Sequence, residues 1–238
     1  MTAKKPTNEK DFAFKQDFKY KHDNPYHDKL GLFDHFVLRD DEGERHRGNW
    51  SQEVFKNDNE LAVEIGTGFG HFMMDYTQKN PSENFVGLDH RFKRSFHLAR
   101  KLEKLEHKNF RYLRARGERL HHLFGESEIS KLFYFFPDPW PKNRHHKKRL
   151  FQKTFLDIAH QTIRPQGEFL IKTDHDGYFE WMLDELKDET RLKIQMVTHD
   201  LKKEFPDHFL ASFETKFEKI FIKKGIKIKA MVLVNHKE

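Results

Sequence analysis

The chain has 238 residues, enough for one large domain, or one domain with a small appendage, around a sizeable buried core. It has no run of about eighteen apolar residues and no apolar start, so we expect neither a membrane span nor a secretion signal. It contains 0 cysteines, which excludes disulfides, thiolate zinc sites and cysteine nucleophiles and makes a reducing cytoplasm the expected location.

The charge is modest in sum but uneven along the chain. Lysine and arginine number 44 against 38 aspartates and glutamates, a formal net charge of +6. Residues 91–119 carry eleven basic residues against three acids, residues 142–149 carry five Lys or Arg and no acid, and residues 215–238 carry seven lysines against two glutamates. Such clusters are typical of proteins that bind a polyanion, although a solvated helix face explains any single cluster equally well.

The predicted elements begin after residue 30. Residues 1–30 alternate Lys and Asp around scattered aromatic residues without a regular period, which predicts a flexible basic and aromatic arm before a domain over residues 31–238. Beyond the arm, short apolar runs alternate with longer segments of helical period, the βαβ pattern. Strands are predicted at 61–65, 84–88, 110–113, 131–136, 168–173, 192–198 and 226–234. Helices are predicted from the glycine loop to about residue 80 and at 91–105, 119–124, 151–163 and 178–186.

Glycine is concentrated between the first predicted strand and its helix, in the segment Glu64-Ile65-Gly66-Thr67-Gly68-Phe69-Gly70. In this position glycines let a nucleotide-like cofactor approach the backbone at the carboxyl edge of a sheet. The dinucleotide fingerprint needs a glycine where His71 stands, and no phosphate loop ending in Gly-Lys-Ser/Thr is present, so NAD, FAD and nucleotide hydrolysis are disfavoured. The second predicted strand ends at Asp89, a carboxylate suited to accept hydrogen bonds from ribose hydroxyls.

This spacing resembles motif I of class I methyltransferases, acid-x-Gly-x-Gly-x-Gly, with Asp89 as the second acid. A second motif, Pro137 to Leu150, reads PDPWPKNRHHKKRL and presents Asp138 rigidly between two prolines. Pro-Asp-Pro alone favours a proline-rich turn with Asp as a cap. The whole string, however, resembles the tRNA (guanine-N7-)-methyltransferase family of the bacterial TrmB type, with Lys148 in place of an arginine. Two further pieces agree with that family: Thr173-Asp174, and the segment Thr215-Lys216-Phe217-Glu218.

The resemblance implies a Rossmann-like class I fold, with a mostly parallel seven-stranded sheet and helices on both faces. It also implies transfer of a methyl group from S-adenosyl-L-methionine to N7 of a guanosine in the variable loop of tRNA. Asp138 would be catalytic, and the expected cofactor contacts are Glu64, Gly66, Gly68, Asp89 and Asp138. The expected substrate contacts are Lys142, Asp174, Thr215, Lys216, Phe217 and Glu218. The cations expected to hold phosphates nearby are Arg144, Lys147, Lys148 and Arg149.

One position departs from the family pattern. Arg116 stands near the end of the third strand, where the family commonly has an acid or amide against the adenine, and Glu118 follows two residues later. The histidine pairs lack the spacing of a zinc site, so we expect no metal, and nothing indicates an obligatory protein partner. Two alternatives stay open: a methyltransferase of the same fold with a protein or small-molecule substrate, and an RNA-binding protein without activity.

Overall fold

The structure is a computed structural model in which residues 24–237 are described, apart from the side chain of Lys216. Its strands are β1 (Val37–Arg39), β2 (Leu61–Ile65), β3 (Asn84–Leu88), β4 (Phe110–Arg114), β5 (Ile129–Phe135), β6 (Ile163–Thr173), β7 (Leu192–Thr198) and β8 (Lys229–Asn235). Its helices are α1 (Pro25–Leu30), α2 (His71–Lys79), α3 (Phe92–Leu102), α4 (Leu120–Leu123), α5 (Lys153–Thr162), α6 (Asp176–Glu185), α7 (Leu201–Glu204), α8 (Phe209–Ser212) and α9 (Lys216–Lys223). Single turns of 3₁₀-helix lie at Gly31–Phe33 and Gly117–Arg119, longer ones at Asp40–His46 and Asn143–Lys148, and a π-helix at Trp50–Phe55.

The eight strands form one sheet in the order β1-β4-β3-β2-β5-β6-β8-β7. All neighbours from β1 to β6 are parallel, and only β8 runs antiparallel to β6 and β7. The chain order reverses at β2, which pairs with β3 on one side and β5 on the other. In an open α/β sheet the crevice at such a reversal, outside the carboxyl ends of the strands, is where ligands bind.

The doubly wound α/β fold predicted from the sequence is therefore confirmed, and β2, β3 and β7 have the predicted bounds. The predicted count of seven strands is one too low, because β1 adds to the edge of the sheet by pairing Val37 with Tyr112 of β4. A three-residue strand is too short to show a periodic pattern in the sequence. It becomes a strand because β4 offers it an unpaired edge.

Apolar side chains pack on both faces of the sheet, as expected for parallel strands that are covered by helices. One cluster surrounds Trp50 and Phe155, and the other surrounds Phe72 and Tyr76. Along β2, Val63 belongs to the first cluster and Ala62 to the second. Side chains alternate along a strand, so Glu64 lies on the same face as Ala62, at the end of the strand.

Only residues 24–30 of the predicted arm of residues 1–30 can be compared with the structure, because residues 1–23 lie outside the described residues. Its last part is a helix of the domain: the Asn24 side chain accepts a hydrogen bond from Tyr26 N at 3.0 Å, and proline stands at the first position of α1. Leu30 is fully buried, and the Tyr26 ring lies 5.5 Å from that of Phe96 in α3. Residues 25–30 of the predicted arm thus form a helix that packs against α3.

Candidate active site

A cavity of about 660 Å³ opens at the carboxyl edge of the sheet, at the reversal beside β2. Its walls come from the loops that follow five parallel strands, together with the start of α9. The residues that represent these walls are Gly66 after β2, Asp89 after β3, Arg116 after β4, Asp138 after β5, Asp174 after β6 and Phe217 in α9. The fold thus brings the two sequence motifs, separated by about seventy residues in the chain, onto one cavity.

The glycine loop forms the turn between β2 and α2. Gly66 has φ +82°, a left-handed conformation that favours glycine, and a Cβ added there would meet nothing within 4 Å. The loop is held against β3, because Gly66 N and Thr67 N both donate to Leu88 O, at 2.8 and 3.0 Å. The backbone beside Gly66 is therefore fixed in position and open to a ligand.

Glu64 lies on the cavity wall and is only 3% exposed. Within the described residues its Oε2 atom has no hydrogen-bond partner. Burial and then the charge of Asp89 raise the pKa of Glu64 from 4.5 to about 8, although Lys172 opposes the shift. A buried carboxyl with an open acceptor suits a cationic ligand group such as the ammonium of S-adenosylmethionine, since a charge-assisted hydrogen bond would satisfy that oxygen.

Asp89 is held at the end of β3 by three donors. Gly68 N donates to Oδ2 at 3.2 Å, Arg91 N donates to Oδ1 at 2.9 Å, and the Arg94 guanidinium donates to Oδ2 at 3.4 Å. The carboxylate links the glycine loop to the start of α3, and it lines the cavity. A carboxylate has about four acceptor positions, so capacity remains for a ribose hydroxyl.

The segment around Asp138 has an unusual backbone. Phe136 and Trp140, on either side of Pro137-Asp138-Pro139, have φ +49° and +45°, values that are uncommon for residues with a Cβ. Asp138 is 69% exposed at the mouth of the cavity, and its Oδ2 lies 3.7 Å from Nη2 of Arg91. Arg91 follows β3 and Asp138 follows β5, so this contact crosses the mouth.

Comparison with known proteins identifies the family. A family model described as "Putative methyltransferase" matches residues 58–231. A tRNA (guanine-N(7)-)-methyltransferase of Clostridium tetani is 36% identical over 179 residues, 75% of this chain and 84% of that protein. The chain belongs to the tRNA (guanine-N7-)-methyltransferase family. The protein of that name from Streptococcus equi subsp. zooepidemicus is 35% identical over 186 residues, 78% of this chain and 86% of its own.

A solved structure agrees with this assignment at the level of the fold. The 16S rRNA methyltransferase KamB superimposes with a TM-score of 0.56 at 20% identity, over 75% of this chain and 89% of that one. The Rossmann-like methyltransferase fold expected from the sequence is thereby confirmed.

The cavity of this family member contains most of the site residues that were predicted from the sequence. Those that line it are Glu64, Gly66, Gly68, Asp89, Asp138, Lys148, Asp174, Thr215 and Phe217. Lys142, Arg144 and Lys147 lie outside it as exposed residues of the segment after Asp138. Lys148 is half-buried, with its ammonium 4.6 Å from the Trp140 ring centroid. The side chain of Lys216 lies outside the described part of the structure.

Arg149 does not occupy the surface position that was predicted for a phosphate contact. It is 2% exposed, and its Nε donates to Pro139 O at 2.9 Å. Its guanidinium lies 4.7 Å from the Tyr178 ring and 4.9 Å from the Trp181 ring. Arg149 therefore supports the Asp138 loop from within, because a planar guanidinium stacks well on aromatic faces.

Glu218 is also placed differently from its predicted role as a substrate contact. It is fully buried, and its Oε2 lies 2.5 Å from Nζ of Lys172. Lys172 also donates to Leu210 O at 3.2 Å and Phe213 O at 2.7 Å, so one buried ammonium ties α8 and α9 to the sheet. Burial lowers the pKa of Lys172, and contact with Glu218 opposes that shift. Lys172 could not be identified from the sequence, since a lysine near the end of a strand is normally exposed.

Arg116 and Glu118 both line the cavity after β4. Their side chains lie 3.9 Å apart, between Arg116 Nε and Glu118 Oε2. Gly117 between them packs closely, since a Cβ there would lie 2.7 Å from Cγ2 of Ile65. Both side chains that the sequence offered for the adenine position thus reach the cavity.

Metal sites and membrane spans can be assessed for residues 24–237. These residues contain no group of three or more His, Asp or Glu residues arranged to hold a metal ion. In that range no helix combines the length and the apolar character needed to cross a bilayer.

Proposed function

We propose that this protein transfers a methyl group from S-adenosyl-L-methionine to N7 of a guanosine in the variable loop of tRNA, forming 7-methylguanosine. Membership of the family supports the reaction, because relatives 36% and 35% identical bear that enzyme name. The observation that carries the proposal is a single cavity lined by Glu64, Asp89 and Asp138. A tRNA partner also fits the cytoplasmic location expected from the sequence.

Four residues hold the cofactor in this proposal. The backbone at Gly66 and Gly68 lets it approach the sheet edge, and Asp89 accepts hydrogen bonds from its ribose. Glu64 offers its open Oε2 to the ammonium of the methionine part. When bound, S-adenosylmethionine supplies a methyl group activated by a sulfonium.

The acceptor chemistry requires little acid or base catalysis from the protein. Guanine N7 has a lone pair in the plane of the ring and no proton, so no general base is needed to create the nucleophile. The main tasks of the site are therefore to orient the base toward the methyl group and to keep other nucleophilic atoms of the RNA away from it. Positive charge develops on the purine as N7 is methylated, and the Asp138 carboxylate stabilises that charge.

The guanosine must leave its stack to reach the cavity, because side chains cannot readily enter the deep groove of A-form RNA where N7 lies. Asp174, Thr215 and Phe217 line the cavity and would contact the displaced nucleotide. Lys142 and Arg144 are exposed beside the Asp138 loop, where they would bind neighbouring phosphates.

A methylation assay tests the proposal. The protein is incubated with labelled S-adenosylmethionine and unmodified tRNA, and the label is mapped by chemical cleavage at 7-methylguanosine. We expect Asp138→Ala to lower kcat by at least about a hundredfold, the loss typical of one preorganised group. S-adenosylhomocysteine affinity should change little in this variant, because Asp138 stands at the exposed mouth of the cavity.

Asp41→Ala is a matched control, since Asp41 is 62% exposed and lies 3.8 Å from Arg45, much as Asp138 lies beside Arg91. It should keep wild-type turnover. If the protein binds S-adenosylhomocysteine but transfers no label to tRNA, it acts on another substrate or is not catalytic. Equal turnover of the two variants would remove Asp138 from the mechanism.

A further inference from the structure

The basic residues at 91–119 do not form a single surface. Arg114 pairs with the buried Asp40, and Arg119 pairs with Glu44 at 2.6 Å. Both guanidinium groups are therefore buried in ion pairs within the domain. The basic residues that remain outside are concentrated on α3 and the turn after it. The charge excess of the whole stretch is thus concentrated on α3 and the residues that flank it.

Four exposed residues of α3 share a face. Lys93, His97, Arg100 and Lys101 follow the spacing i, i+4, i+7 and i+8, which aligns side chains along a helix. We call these four residues the α3 basic face. No ion pair within residues 24–237 involves any of them. The opposite face is buried at positions such as Leu98, so the helix is anchored and its cations point to solvent.

The α3 basic face is continuous with the mouth of the cavity. Arg91 and Arg94, at the start of the helix, line the cavity itself. Phe69 of the glycine loop is 41% exposed, with Arg94 and Lys101 lying 5.5 and 5.8 Å from its ring centroid. The Phe69 ring in turn lies 6.3 Å from that of Phe217, which also lines the cavity. Cations interleaved with exposed aromatic rings are typical of surfaces that follow a nucleic-acid strand.

The chain itself offers a less suitable occupant. That occupant is the segment of residues 1–23, which precedes α1 in the sequence. It contains six lysines and four acids, however, and is itself basic. Like charges disfavour its binding there, whereas a polyanion is complementary to the face.

We propose that the α3 basic face binds backbone phosphates of the tRNA next to the methylated nucleotide. The inference rests on the proposed function and adds to it the side of the cavity from which the RNA strand approaches. The RNA then contacts cations on both sides of the mouth: the α3 basic face after β3, and Lys142, Arg144 and Lys147 after β5. Bound between them, the nucleotide reaches the cavity at Asp138.

The test compares two double variants, Lys93→Ala/Lys101→Ala and the control Lys193→Ala/Lys203→Ala. Each removes two exposed lysines that form no ion pair within the described residues, and the control pair lies on β7 and α7, at the other end of the sheet. Binding of unmodified tRNA is measured directly by fluorescence anisotropy over a series of salt concentrations, with S-adenosylhomocysteine present. Methylation kinetics are measured in parallel.

We expect Lys93→Ala/Lys101→Ala to weaken tRNA binding on the order of tenfold at low salt and to reduce the slope of log affinity against log salt by roughly 1.5, as for two lost phosphate contacts. S-adenosylhomocysteine affinity should stay at the wild-type value, since neither lysine lines the cavity, and the loss in methylation should appear mainly in the KM for tRNA. A tRNA affinity and salt slope equal to those of the control pair would overturn the proposal. Because binding is measured without turnover, this result is separate from failure of the wild type to methylate tRNA.

Discussion

Glu64→Gln is a sharp test of the cofactor site, because it replaces a carboxyl that stays protonated in the free protein with a neutral group of the same shape. Burial and Asp89 raise the pKa of Glu64 to about 8, so at pH 7 most free protein carries a proton on Glu64. Binding of a ligand ammonium requires the ionised carboxylate. The proton must therefore leave when the ligand binds, and the affinity must depend on pH.

The size of the effect follows from the raised pKa. The apparent dissociation constant for S-adenosylhomocysteine should fall roughly eightfold between pH 6.5 and 7.5 in the wild type, as the ionised fraction rises. Glu64→Gln should show no such dependence. At pH 8, where the wild type is half ionised, the variant should bind roughly tenfold to a hundredfold more weakly, the range for losing a hydrogen bond to a charged group.

Stability offers a second measurement of the same group. The pKa of Glu64 is higher in the folded protein than in the unfolded chain, so its contribution is fully present below about pH 4.5 and is lost as pH rises toward 8. Between pH 6 and 8 the wild type should lose about 2 kcal/mol relative to Glu64→Gln in the cofactor-free state. Urea unfolding of both proteins at each pH measures this difference and cancels the other titrating groups.

Isothermal titration with S-adenosylhomocysteine, in two buffers of different ionisation enthalpy, measures both the affinity and the released proton. The affinities are compared only at pH 6.5 and above, so that titration of His90 contributes little. His90 also lines the cavity, and burial lowers its pKa below 6.5. Parallel pH profiles for the wild type and Glu64→Gln, with no proton released, would refute the assignment of Glu64 to the ligand ammonium.

Two further predictions concern the frame of the site. Lys172→Met should destabilise the protein by about 3–5 kcal/mol in urea unfolding, because it leaves Glu218 buried without its partner. The double variant Lys172→Met/Glu218→Gln should recover part of that loss. A single variant as stable as the double variant would contradict this explanation. Gly70→Ala should cost at least about 1 kcal/mol more than Gly66→Ala. Both glycines have positive φ, but only at residue 70 would the Cβ approach Leu98, at 2.2 Å; equal melting temperatures would refute the steric argument.

Several parts of the site could be predicted because their signals are local. The alternation of strands and helices places Glu64 and Asp89 at the ends of neighbouring strands, and the glycines between β2 and α2 define the turn. The string around Asp138 supplied the specificity of the family resemblance. These inferences needed only periodicity, turn chemistry and a motif, each of which is contained in a short stretch of chain.

Burial of charged residues could not be predicted in the same way. Arg149 and Glu218 belong to segments that are exposed by composition, yet the structure places the first under the Asp138 loop and the second against Lys172. A charged side chain is buried only where distant segments supply its partners, and those partners are set by packing. The edge strand β1 was missed for a related reason, since β4 alone makes it a strand.

The order of residues alone was thus sufficient to establish an α/β methyltransferase with acids at two strand ends and a proline-framed aspartate. Tertiary structure was needed to decide which cations face solvent, because Lys93 and Arg114 are equally basic in the sequence and differ only in whether an acid such as Asp40 is folded against them. Local patterns specify elements, whereas the field at a binding surface depends on charges brought together from across the chain.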